Sequence, residues 1–271
     1  MSKSEKLVEN GVAICRKPEV YLVGRQCVEN AEIDRFLSDH GVEQWTTDTD
    51  IAAQKLTEVA GRMCYMSFSK PRPGGNSAYM ENIIDVGHGS VLEHAVLNFI
   101  ITGVSRSFTH ELIRHRAGFG YSQLSQRYVD ESQCEFVEPQ GIAEDPELHK
   151  LFVATVSAAQ KAYIELTNRL SDRIEREHPE LSRTDRRKMA RQAARSVLPN
   201  ATETKIFVTV NARALRHFLF LRGTIHAEEE IRIVAIDMWK IAMKECPAFF
   251  NDFELRKENG VEVLWTPHPK V

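Results

Sequence analysis

Arg114-His115-Arg116-Ala-Gly-Phe-Gly-Tyr121-Ser122-Gln123-Leu124-Ser125-Gln126-Arg127-Tyr128 is the densest chemical stretch of the chain, with three arginines, a histidine, two serines and two glutamines around glycines. Arginine's planar fork matches phosphate oxygens, and glycine lets backbone N–H groups approach a ligand closely. Such a stretch suits a phosphate attached to a hydrogen-bonding heterocycle. The plainer alternative is a solvated basic helix end, which the helix dipole favours. Upstream, Ala95 to Thr102 is an apolar run that reads as a buried strand. From Ser105 the apolar spacing of Phe108, Leu112 and Ile113 predicts a helix running to the Arg114-His115-Arg116 triplet, broken by Ala117-Gly118.

Working outward, strand and helix alternate. Tyr21-Leu22-Val23 predicts a strand, Asp50 to Met63 a helix and Leu148 to Arg176 a long amphipathic helix. Ser182-Arg-Thr-Asp185 has the form of a capping box opening a helix that ends before Pro199. Lys205 to Val210 reads as a strand, and Asn211 to Arg222 and His226 to Lys244 as helices. The stretches Ser67 to Asn76, with Pro71, Pro73 and Gly74-Gly75, and Glu138 to Pro146 read as loops within one domain. The pattern predicts a mixed α/β domain rich in helix.

Composition bounds the function. With 271 residues, 42% hydrophobic and 27% charged, the chain can bury a substantial core. A net charge of −3 and a pI near 6.4 give no global positive field for a long nucleic acid, so any anion site is local. Five scattered cysteines without CxxC spacing read as reduced thiols in a cytosol. The N-terminal Met-Ser-Lys-Ser-Glu-Lys is followed by no apolar core, and no stretch approaches a membrane span; the expectation is a cytoplasmic protein, neither exported nor anchored.

Further constellations can carry chemistry. On the predicted helix Asn211 to Arg222, residues Arg213, Arg216 and His217 project near one face and Leu215, Phe218 and Leu219 toward another. The plain alternative pairs Arg213, Arg216 and Arg222 with the acidic run Glu228-Glu229-Glu230. Arg187, Arg191 and Arg195 stack at i, i+4, i+8, a repulsive spacing that calls for an anion or full hydration. Gly87-His88-Gly-Ser90-Val-Leu-Glu93-His94 lacks the HxxxH spacing of a metal-binding helix, so a polar turn is expected and no metal. No GxGxxG, P-loop or activated nucleophile is present.

Together these segments resemble the flavin-dependent thymidylate synthases, whose signature is Arg-His-Arg, seven residues, then Ser followed closely by Arg. Here eight residues separate Arg116 from Ser125-Gln126-Arg127, so roles are not transferred to Ala117, Gly118, Phe119 and Gly120. The match extends through Cys64–Lys70, Asp85–His94, His110–Arg114, Arg191–Arg195, Leu198–Thr204 and Asn211–Arg222, covering most of residues 60–245. The resemblance implies one catalytic domain over residues 1–271 with a central, largely antiparallel sheet. It implies that Ser90, Arg114, His115, Arg116, Gln123, Asn211, Arg213 and His217 contact FAD. It implies that Glu111, Arg114, Gln123, Leu124, Ser125, Gln126, Arg127, Arg195 and Arg222 surround dUMP. It also implies a homotetramer whose sites draw on several subunits.

The implied reaction is reductive methylation of dUMP to dTMP, with methylenetetrahydrofolate as carbon donor and NADPH reducing the FAD. Arg222 is the expected catalytic residue, a permanent cation beside the uracil ring that stabilises negative charge. Arg127, with Arg195 from a neighbouring subunit, is expected to hold the phosphate. The other thymidylate synthases attack the ring with a cysteine followed by histidine, and neither Cys64-Tyr65 nor Cys134-Glu135 fits. A non-catalytic nucleotide- or RNA-binding protein using the same arginines is the alternative, though aromatic platform motifs are lacking.

Overall fold

The chain's computed structural model describes residues 7–42, 44–70 and 73–271. The expectation for Met1 to Lys6, and Pro71 within the predicted Ser67 to Asn76 loop, lie outside the described residues.

Strand β1 (Leu7–Glu9) turns at Asn10-Gly11, both with left-handed backbone, into β2 (Val12–Cys15), and the two pair antiparallel. After β3 (Glu19–Arg25) come helices α1 (Asn30–Asp39), α2 (Ala52–Met63) and α3 (Gly75–Asp85). Gly89–His94 forms a 3₁₀ turn ahead of β4 (Val96–Ser105). Along β4, Leu97, Phe99 and Ile101 are buried while the residues between them are half-buried, so the strand alternates rather than being buried throughout. Ser105 caps α4 (Arg106–Leu112), its Oγ accepting from Phe108 N at 3.0 Å.

Helix α4 closes at Leu112, with Ile113 N donating to Thr109 O at 3.1 Å. The Arg114-His115-Arg116 triplet therefore lies beyond the helix, not at its end as the apolar spacing predicts. The stretch that follows is not all loop either, because β5 (Phe119–Gln123) begins directly after Gly118. Next come β6 (Glu135–Val137), paired in parallel with β2, and α5 (Gln140–Ala143), a short helix inside the predicted Glu138 to Pro146 loop.

Helix α6 (Pro146–Glu177) is capped by Asp145 and buries Val153, Val156, Gln160 and Tyr163 along one stripe. The expected cap is present on α7 (Arg183–Ala194), where Ser182 Oγ accepts from Asp185 N at 3.1 Å. Strand β7 (Glu203–Asn211) leads into α8 (Ala212–Arg222), capped by Asn211, and then α9 (Glu229–Glu245). An antiparallel hairpin of β8 (Glu254–Glu258) and β9 (Val261–Trp265) turns at Asn259-Gly260.

Strands β3, β4, β7 and β5 form one sheet in that order, so the mixed α/β, helix-rich class is the one observed. The chain divides into two units. The first comprises the described residues up to Glu19, Ile101–Ile113 and Ser122–Ile206. Its core includes Val12, Cys134, Phe136 and Val156, with Phe152 and Leu198 packed against them. The second comprises Val20–Ile100, Arg114–Tyr121 and Phe207–Val271, and α8 packs there on α9 and β9. Leu215, Phe218, Leu219, Val234 and Phe249 are buried in it.

Candidate active site

Among the expected flavin residues, the second unit holds Ser90, Arg114, His115, Arg116, Asn211, Arg213 and His217, together with Arg222. His115 is the most constrained of them. Its ring lies edge-on to Phe218 at 5.1 Å between centroids, with Phe119 at 5.9 Å and His217 at 6.4 Å. Tyr121 donates its hydroxyl proton to the His115 carbonyl at 2.6 Å, and burial raises that phenol's pKa. Arg222 Nε donates to His115 Nε2 at 3.0 Å, which places the imidazole proton on Nδ1. Burial first, then the charges of Arg222 and His217, lower the His115 pKa to about 4, so the ring is neutral at pH 7.

A cavity of about 530 Å³ opens beside α8, lined by Glu93, Ala117, Gly118, Asn211, Arg213, Ala214, His217 and Phe220, with Pro269, Lys270 and Val271. Asn211 shapes it: its Oδ1 caps α8 by accepting from Ala214 N at 2.8 Å, and its N donates to Gly118 O at 3.0 Å. At Gly118 φ is +75° and a Cβ would stand 2.6 Å from Ala214 Cβ and 2.7 Å from Asn211 Nδ2, so this wall admits no side chain. Arg213 pairs with Glu93 at 2.6 Å. Ser90 and Glu93 share the 3₁₀ turn, while Arg114 and Arg116 are exposed on the connection before β5. The walls combine cations, an amide, an imidazole and apolar surface, a donor set that fits a flavin nucleotide.

Arg216 departs from the predicted polar stripe. It is only 2% exposed and grips Asp252 with both Nη atoms, at 2.6 and 2.8 Å. Burial opposes ionisation of Asp252, but the Arg216 guanidinium outweighs it and holds the carboxyl below its ordinary range. The acidic run Glu228-Glu229-Glu230 is therefore not the partner of Arg213 or Arg216, which find Glu93 and Asp252 instead.

The first unit carries Glu111, Gln123, Leu124, Ser125, Gln126, Arg127 and Arg195. Gln123 Nε2 donates to Thr109 Oγ1 at 3.3 Å and Thr204 Oγ1 at 3.2 Å, and Leu124 N donates to Lys205 O at 2.9 Å. Ser125 begins a turn, its carbonyl accepting from Tyr128 N and Val129 N. Gln126 Nε2 and Arg127 Nε are buried and find no acceptor among the described residues. Buried donors rarely go unmatched, so this adjacent pair marks a stretch whose polar groups the fold does not fully answer.

Within the predicted arginine stack, Arg191 donates to Tyr128 O at 2.7 Å and Asp130 Oδ2 at 2.8 Å, fastening α7 to the turn that follows Arg127. Arg195 begins the 3₁₀ turn after α7. Burial and then the Arg195 charge lower the pKa of Arg106, while Glu131 raises it. Glu131 is itself buried, with an Oε1 unmatched among the described residues; burial and then the charge of Glu203 push it up to about 7. Sequence reasoning missed Arg106, Glu131 and residues 269–271. Arg106 lies eight residues before the triplet, a nearness that could have flagged it; the other residues carry no local signal. No group of three or more His, Cys, Asp or Glu side chains among the described residues could hold a metal ion, and no helix among them is long and apolar enough to cross a membrane.

Residues 47–248 match the family model of the thymidylate synthase complementing proteins. The chain belongs to this family, a family of enzymes. It is 53% identical over 227 residues to the flavin-dependent thymidylate synthase of Mycolicibacterium gilvum, spanning 83% of this chain and 89% of that one. The enzymes of the same name from Mycobacterium avium and Mycobacterium bovis are 51% and 50% identical over 226 residues, each alignment covering 82% of this chain and 88% of the relative.

Proposed function

We propose that this chain is a flavin-dependent thymidylate synthase, a cytosolic homotetramer in which residues 1–271 serve as one catalytic domain. It converts dUMP to dTMP with methylenetetrahydrofolate as one-carbon donor, releasing tetrahydrofolate. A bound FAD, reduced by NADPH, supplies the reducing equivalents. The observation that carries this reading is the cavity beside α8, where Asn211, Arg213 and His217 of the expected flavin set line one space.

Ser90, Arg114, His115, Arg116, Gln123, Asn211, Arg213 and His217 hold the flavin. Arg127 and Arg195 hold the nucleotide phosphate, and the mutual repulsion of Arg195 and Arg106 favours an anion there. Gln123 and Gln126 orient the pyrimidine, with Glu111, Arg114, Leu124 and Ser125 around it. These contacts position the ring without reacting.

Carbon 5 of uracil is a poor nucleophile until negative charge develops on the ring. Arg222 stabilises that charge. A neutral His115, accepting from its Nε, orients the guanidinium.

Absorbance tests the reading. Protein reconstituted with FAD should keep a flavin spectrum through desalting, and adding dUMP should perturb that spectrum. Protein that stays colourless but still binds nucleotide would favour a binding module in place of an enzyme.

A further inference from the structure

The segment after β9 lies beyond the residues matched by the family, yet it is tightly seated. Thr266 Oγ1 donates to Asp252 Oδ2 at 2.6 Å, and His268 N donates to Thr266 Oγ1 at 3.0 Å. Arg216 Nη2 reaches the His268 carbonyl at 3.4 Å, and His268 Nε2 lies 3.3 Å from Asp85 Oδ1. The buried Arg216–Asp252 pair, whose arginine sits one turn along α8 from Arg213, thus anchors the chain just before it enters the cavity wall as Pro269, Lys270 and Val271. The packing is close at the turn bearing Ser90 and Glu93, where a Cβ on Gly89 would stand 2.7 Å from the backbone carbon C of Val271 and 3.2 Å from Arg213 Nε.

Charge gives this wall a purpose. Arg213, a cation of the cavity, is shared with Glu93. Lys270 is exposed at the cavity and has no ion-pair partner among the described residues. The diphosphate of a flavin dinucleotide carries two negative charges, more than a carboxylate-shared arginine answers.

We propose that Lys270, delivered to the cavity by the anchored segment 266–271, is a flavin-binding residue that pairs with the dinucleotide's diphosphate. This rests on the reading of the cavity as the flavin site. The test is titration of the full-length apoprotein with FAD, followed by flavin fluorescence, for the wild type, Lys270→Ala and Lys270→Arg, with thermal melts confirming that each is folded. Lys270→Ala should raise the FAD dissociation constant about fivefold, the scale of one partly exposed charged contact, and Lys270→Arg should restore it. The difference should shrink in about 0.5 M salt, because exposed charge pairs are screened. An unchanged constant in Lys270→Ala, or a loss that salt does not diminish, overturns the proposal. A wild type that binds no FAD refutes instead the reading of the cavity.

Discussion

Arg222 and His115, 107 positions apart, are joined by a 3.0 Å hydrogen bond in which the guanidinium Nε donates to the imidazole Nε2. The bond requires a neutral ring, and the setting supplies one by holding His115 at about 4. Replacing Arg222 by Ala should leave a folded, yellow protein whose turnover falls about 10²- to 10³-fold, the cost of losing one stabiliser of developing charge. FAD affinity should change far less. Undiminished dTMP formation would refute the assigned role.

The same pair has a pH signature. His115 titrates near 6.5 when unfolded and about 4 when folded, so below pH 6.5 the unfolded chain takes up a proton that the folded chain refuses. Its contribution to stability is complete above about pH 6.5 and is lost as pH falls toward 4. His115→Gln should therefore lose less melting temperature than the wild type between those two pH values. In Arg222→Ala the His115 ring, freed of a neighbouring cation, should titrate higher by NMR than in the wild type. An unmoved resonance would contradict the coupling.

His217 stands at the cavity and 6.4 Å from the His115 ring centroid, exposed on α8. His217→Ala removes no core packing, so its melting temperature should stay within about 2 °C of wild type, as expected for a surface change. Cofactor retained on desalting should drop severalfold. Wild-type flavin content would argue against the residue's place in the site.

Arg216 offers the opposite case, a structural arginine on a helix whose Arg213 and His217 line the cavity. Arg216→Met should destabilise the protein by about 3–5 kcal/mol in urea unfolding, because it strands the partly buried Asp252 carboxylate. A cost below about 1 kcal/mol would mean that the pair is effectively solvated.

The contrast shows what the chain reveals about itself. Elements set by neighbours in sequence were legible: the Ser182 cap of α7 and the apolar stripe of α6 each depend on residues within a few turns. The end of α4 was not, because the helical spacing of Ile113 continues after the backbone has begun to turn. On α8 the helix itself was predicted, but helical geometry alone could not tell Arg216 from Arg213 and His217. Asp252, 36 positions away, draws the first into the core. Lys270 was hidden for a similar reason, since its place depends on the anchoring of Thr266 and His268.

The most direct measurement of the central claim is dTMP formation by the purified protein with dUMP, methylenetetrahydrofolate, FAD and NADPH, each omitted in turn. The account predicts product in the complete mixture and none without dUMP, the folate, NADPH or, after the cofactor has been stripped, FAD. Steady dTMP formation by flavin-free protein, or none from the complete mixture, would contradict it.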